Sequence, residues 1–261
     1  MANPSEPGLR ATFQVEALSV RVYERLEDLA VAAAHAAHEC LREAVNRQGQ
    51  ATAILASAAS QVKFLEVLTG LGGLDWSRVT LFHMDEYLGI SDQHPASFQR
   101  FLREHVVQRV KPGTCHYLAG DALESIQECD RYAGLLQAHP IDLCCLGIGE
   151  NGHVAFNDPP VADFNDPRAV KIVKLDEACR RQQVGEGAFS SFDAVPQYAL
   201  TLTVPTLCAA KRLVCVVPER RKALAVKNTL RGPIQTTCPA STLRRQPHAT
   251  LYLDAESASL L

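Results

Sequence analysis

The sequence predicts an α/β fold: a single domain in which a parallel, Rossmann-like sheet forms the middle of three layers, with helices on both faces. Three observations lead there. Short apolar runs of strand length alternate with longer stretches of helical periodicity along nearly the whole chain. Most of the short runs are continuously apolar, as strands covered on both faces must be. No Pro/Gly/Ser-rich linker, internal repeat or low-complexity segment divides the 261 residues, so one domain over 1–261 is the simplest organisation.

The elements follow in order. Residues 17–23 alternate like a strand, and 24–47, rich in Ala, Leu and Glu with apolar positions three and four apart, predict a long helix. Residues 51–56 suit a buried parallel strand, and 60–68 carry helical spacing. A second buried strand, 79–83, ends at Met84-Asp85. Residues 97–107 predict a helix with Phe98, Phe101 and Leu102 on one side, and 122–138 predict another. A third buried strand, 141–146, runs into Gly147-Ile148-Gly149, and 170–175 read as a further strand. Residues 176–191 are polar and glycine-containing without a clear apolar face, and read as a mobile lid. Strand 213–217, helix 220–230 and strand 250–253 complete the chain.

Composition narrows the function. The chain is 47% hydrophobic and 21% charged, ordinary for a soluble protein with a substantial core. A net charge of −3 argues against nucleic acid or an anionic membrane as the main partner. The opening residues 1–10 are polar, with no signal-peptide core, and no apolar run approaches the roughly 20 residues of a membrane span. The nine cysteines sit mostly in apolar stretches without a CxxC pair, so reduced, buried thiols in a cytoplasmic protein are expected. Neither Cys nor His shows zinc-ligand spacing, so no metal is expected.

Ligands of open parallel sheets bind beyond the carboxyl ends of the strands, so the residues there are the site candidates. Asp85 and Glu86 are adjacent carboxylates after a buried strand. One reading puts a desolvated carboxylate in a pocket as a base; the other is a capping or solvated pair. In Gly147-Ile148-Gly149-Glu150-Asn151-Gly152-His153 the glycines allow close approach of backbone N–H groups to a ligand, Gly149 among them. The turn fits neither the Walker loop nor the dinucleotide fingerprint. His153 suits acid/base work, with Asn151 and Asp158 near in sequence to orient it. Ser57, Ala58, Ala59 and Ser60 lie between strand and helix and read either as an anion site or as a plain N-cap by Ser60. Lys222, in the first turn of a helix where a cation is unfavourable, is aimed at an anion or solvated.

Phe82-His83-Met84-Asp85-Glu86-Tyr87-Leu88-Gly89 with His94-Pro95-Ala96-Ser97-Phe98 resembles the MDEY-x-G…HPxSY/F segment of glucosamine-6-phosphate deaminases. Residues 146–159 resemble that family's LGIGxDGHIAFNEP, Val195-Pro196-Gln197-Tyr198-Ala199-Leu200-Thr201 its VPxYALT, and Lys222-Ala223-Leu224-Ala225 its KALA. Order and spacing agree from about residue 50 to Asp254. The resemblance implies conversion of glucosamine 6-phosphate and water to fructose 6-phosphate and ammonia, an aldose–ketose isomerisation with deamination classed among hydrolases, without metal or organic cofactor. It implies Asp85 as the base between C2 and C1, His153 as ring-opening acid/base, Asn151 and Asp158 as its orienting partners, and Glu86 as support. Phosphate would fall to residues 57–60, Gly149 and Lys222, with Arg180 or Arg181 replacing the arginine of the family's SRFF segment.

Departures are plain. Asn151 stands where many members have Asp, Asp158 where Glu is usual, and Ser57-Ala58-Ala59-Ser60-Gln61 where TGGTP or TGSTP is typical. Three alternatives remain at this level: a 6-phosphogluconolactonase-like hydrolase, a deaminase of another amino-sugar phosphate, and a non-catalytic sugar-phosphate sensor. The partner expected in each case is a small sugar phosphate, not nucleic acid or membrane, and homo-oligomers are known in the family.

Overall fold

Two hairpin strands, β1 (Leu9–Val15) and β2 (Leu18–Tyr23), precede the long helix α1 (Leu26–Gln48). Strand β3 (Ala51–Leu55) leads through one 3-10 turn into α2 (Val62–Gly70), and β4 (Val79–His83) runs on into the short strand β5 (Asp85–Tyr87). Helix α3 (Phe98–Leu102), a π turn over Arg103–Val107 and α4 (Gln108–Val110) make one irregular rod. Strand β6 (Thr114–His116), α5 (Ser125–Ala138) and β7 (Leu143–Leu146) follow. Then come β8 (Val170–Lys174), α6 (Glu177–Gly185), β9 (Tyr198–Leu202) and α7 (Val204–Cys208). Strand β10 (Arg212–Val217), α8 (Ala223–Arg231) and β11 (Ala249–Asp254) close the fold. This computed structural model describes residues 6–261, so the polar opening read from residues 1–10 lies partly outside the described residues.

Eight strands form one sheet in the order β1-β2-β11-β10-β7-β3-β4-β6. All neighbours are parallel except the β1–β2 hairpin at one edge. Alternation along the strands divides the core in two. On β10, Leu213, Cys215 and Val217 pack under α5, α7 and α8, whereas Val214 and Val216 face α1 and α2. On β7, Cys144 and Leu146 take the first side, Leu143 and Cys145 the second. The fold is thus the three-layer α/β arrangement the sequence predicts, and no helix among the described residues is long and apolar enough to cross a membrane.

Chain order reverses between β3 and β7: β3 is followed outward by β4 and β6, while β7 leads to β10, β11 and β2. The two loops leaving β3 and β7 therefore diverge and open a crevice at their carboxyl ends.

The sequence did not announce a second sheet. Strands β5, β9 and β8 pair antiparallel, with Asp85 opposite Thr201 and Ile172 opposite Leu200. Leu200 and Leu202 turn into the main core. Tyr87, Val173 and Ala199 instead join a third apolar cluster with Cys179 and Phe189. Residues 176–191 do have an apolar side: α6 packs Cys179 and Gln183 inward, and Phe189 is buried just beyond its end. Strand β1 escaped the sequence reading because none of its seven residues is buried, so no hydrophobic pattern marks it.

Candidate active site

The crevice between β3 and β7 holds a cavity of about 280 Å³, near the lower end of the roughly 300–1,000 Å³ usual for small-ligand sites. Ser57, Ala58, Ala59 and Ser60 after β3, Asp85 after β4, Gly149 and His153 after β7, and Lys222 after β10 all line it. Residues far apart in sequence converge because parallel strands deliver all their carboxyl ends to one rim.

Asp85 and Glu86 are both buried, at 6% and 1% exposure, but strand alternation sends them to opposite faces. The Asp85 carboxylate lines the cavity. Burial pushes its pKa well above the ordinary value, and the neighbouring Glu86 charge adds to the rise. Glu86 does not line the cavity. Its oxygens accept from Ser97 Oγ at 2.8 Å and from the N–H groups of Phe98 at 3.2 Å and Gln99 at 3.0 Å. It thereby fastens the start of α3, and Pro95, Ala96 and Ser97 in turn form cavity wall. Burial raises its pKa to about 7 against the lowering effect of those hydrogen bonds.

The loop after β7 is folded around His153. Gly149 N–H donates to the His153 carbonyl at 2.9 Å, and Gly152, at φ +86°, donates to the Gly149 carbonyl at 3.0 Å. A Cβ on Gly149 would lie 2.1 Å from His153 Cε1 and 2.2 Å from Nε2. The glycine is therefore needed to seat the imidazole; its own N–H is spent inside the loop, while the residue still lines the cavity. Asn151 Oδ1 accepts the His153 N–H at 3.0 Å, while its Nδ2 donates to Asp158 at 3.0 Å. Asp158, fully buried, lies 2.9 Å from His153 Nδ1 and accepts the Asp176 N–H at 3.1 Å. The His153–Asp158 pair is within ion-pair distance, and among the described residues no other group partners Nδ1. Burial pushes Asp158 up, yet the imidazole and the Asn151 and Asp176 donors outweigh it and hold its pKa below the ordinary value. Asn151 and Asp158 stand behind the histidine and do not line the cavity.

The anion end combines Ser57 with Lys222. Ser57 Oγ is buried without a partner among the described residues. Lys222 is 3% exposed, and no carboxylate among the described residues lies within ion-pair distance of it. Burial lowers its pKa, and Glu186 is the strongest opposing charge. Ser60 does not cap α2; its Oγ accepts from Gln61 Nε2 at 3.3 Å, and that amide also reaches the Val216 carbonyl at 3.0 Å. The two arginines expected for phosphate do not reach the cavity. Arg180 donates to the carbonyls of Phe192 and Val195, both at 2.8 Å, and lies 4.0 Å from the centre of the Phe192 ring. Arg181 is on the surface beside Glu177. Helix periodicity explains both: α6 turns Gln182 and Gln183 to the cavity instead. Sequence reading missed these glutamines and Glu186, which carry no motif. Gln183 accepts from Tyr87 OH at 2.7 Å and ties α6 to the small sheet.

The chain is similar to known proteins in both sequence and fold. Residues 24–252 match the family model described as glucosamine-6-phosphate isomerases/6-phosphogluconolactonase. A glucosamine-6-phosphate deaminase from Lactobacillus delbrueckii subsp. bulgaricus is 34% identical over 226 residues, 86% of this chain and 93% of that protein. The glucosamine-6-phosphate deaminase of Exiguobacterium sibiricum is 33% identical over 243 residues, 92% of each chain. Among solved structures, a monomeric glucosamine-6-phosphate deaminase superposes with a TM-score of 0.85 at 29% identity, covering 93% of this chain and 99% of that one. A 6-phosphogluconolactonase from Shewanella baltica shares the fold, with a TM-score of 0.76 at 17% identity over 93% of this chain and 99% of that one.

Proposed function

The chain belongs to the glucosamine-6-phosphate isomerase/6-phosphogluconolactonase family, and on that premise we propose that it converts glucosamine 6-phosphate and water to fructose 6-phosphate and ammonia. The observation that carries this reading is the pairing, across one cavity, of a desolvated carboxylate at Asp85 with a seated imidazole at His153. Moving a weakly acidic C–H proton needs such a base, and opening a sugar ring needs a group that both gives and takes a proton near neutral pH.

In this reading the phosphate lies at Lys222 and Ser57, where a buried ammonium without a counter-ion would otherwise carry a desolvation penalty of about several kcal/mol. His153 moves a proton between the O1 hydroxyl and the ring oxygen, which frees the C1 aldehyde. Asp85 takes the C2 proton and returns it to C1, while the C1 oxygen gains a proton and the nitrogen gives one up, leaving an imine at C2. Water adds there and the nitrogen leaves as ammonia. The central step is an isomerisation coupled to deamination; a hydrolase label describes only the water consumed. Asp158 and Asn151 hold the imidazole, and Glu86 holds the wall opposite. All nine cysteines are free, which supports the cytoplasmic location expected from the sequence.

The test is to incubate the purified protein with glucosamine 6-phosphate and assay ammonia and fructose 6-phosphate together. Equimolar release of both is expected. Tight binding with neither product would replace the reading with a sensor, and acid release from 6-phosphogluconolactone would replace it with the hydrolase.

A further inference from the structure

Behind His153 lies a group of side chains that the proposed reaction does not fully use. Cys179, on the buried face of α6, brings its thiol to the pair formed by His153 and Asp158. One donor atom from each of the three residues lies within 4.8 Å of the other two. All three residues are at least nine-tenths buried, and among the described residues His153 Nδ1 meets only Asp158, at 2.9 Å. The 153–158–179 spacing matches no zinc motif, which is why the sequence led to the expectation of no metal; the fold, not the spacing, gathers the set.

We propose that His153, Asp158 and Cys179 form a binding site for a thiophilic divalent cation of the zinc class, whose occupancy switches the active site off. Imidazole nitrogen, carboxylate oxygen and thiolate sulfur are the ordinary ligands of zinc, and an ion seated among them would part the 2.9 Å His153–Asp158 contact only slightly. Charge balances: thiolate and carboxylate contribute two negative charges, the imidazole is neutral, and the dication cancels them in a buried site. Binding displaces the Cys179 proton to solvent. The cation enters through the cavity, which His153 lines. Ligation at His153 fixes the ring and removes its freedom to carry a proton. A hard cation such as magnesium, which avoids sulfur, is not held.

Cobalt(II) tests the site without relying on catalysis. The chelator-stripped protein is expected to bind one equivalent with a near-ultraviolet thiolate-to-cobalt charge-transfer band, absent in Cys179→Ala and Cys179→Ser. Zinc is expected to inhibit the deaminase reversibly, with chelator restoring activity, and to inhibit Cys179→Ala at least about tenfold less strongly. Circular dichroism confirms that the variants are folded; if Cys179→Ala is not, Cys179→Ser carries the comparison. An unchanged band or unchanged zinc sensitivity in the folded variants overturns the proposal, as does the absence of a band in the wild type. The cobalt signal reads the site even if the protein proves not to be a deaminase, so the two readings fail separately.

Discussion

The imidazole of His153 rests against the bare Cα of Gly149, so closely that a single added methyl would overlap Cε1 and Nε2 at 2.1 and 2.2 Å. Gly149→Ala is therefore expected to displace the ring while leaving the sheet intact. A shift of about 1 Å in a catalytic group costs on the order of 10² in rate. Steady-state kinetics should show kcat lowered by that order with a smaller change in KM; a wild-type kcat would dissociate the ring's position from catalysis.

Asp85→Asn keeps shape and volume but removes the base. Turnover should fall by on the order of 10²–10⁴, the usual contribution of general base catalysis. Isothermal titration should still detect substrate binding. Rates like those of the wild type would remove Asp85 from the role of base.

The activity should carry an acid limb well above the ordinary carboxylate range, because burial, and then the Glu86 charge, raise Asp85, and only the deprotonated form accepts a proton. Glu86→Gln removes the second cause and should move that limb to lower pH. Glu86 also links to stability. Its folded pKa of about 7 lies above the ordinary 4.5, so its contribution is full below 4.5 and is lost as pH rises toward 7. Melting temperatures across that window should show this loss in the wild type and not in Glu86→Gln. The variant should be less stable throughout, since an amide nitrogen faces N–H donors. Superimposable pH–rate profiles of the two proteins would mean that Glu86 does not act on Asp85.

Lys222→Ala should raise KM by roughly 10- to 100-fold, the value of one charge-assisted contact, with kcat much less affected. Inorganic phosphate should inhibit the wild type competitively and the variant weakly. An unchanged KM would place the phosphate elsewhere.

The sequence by itself determined the three-layer α/β class and most strand positions, because continuous apolar runs and helical periodicity are local consequences of burial. It also singled out Asp85, His153 and Lys222, since carboxyl ends of parallel strands share one rim and the motifs sit there. Tertiary structure alone decided what these residues touch. Adjacent Asp85 and Glu86 part company because the strand alternates. Arg180 and Arg181 turn away because α6 presents Gln182 and Gln183 to the cavity. Gly149 makes room for the imidazole, which no local pattern announces. Cys179 reaches Asp158 across 21 residues that carry no shared pattern. Periodicity records which side of an element is buried, but the partner on that side is fixed only when separate elements pack, and no local signal encodes it.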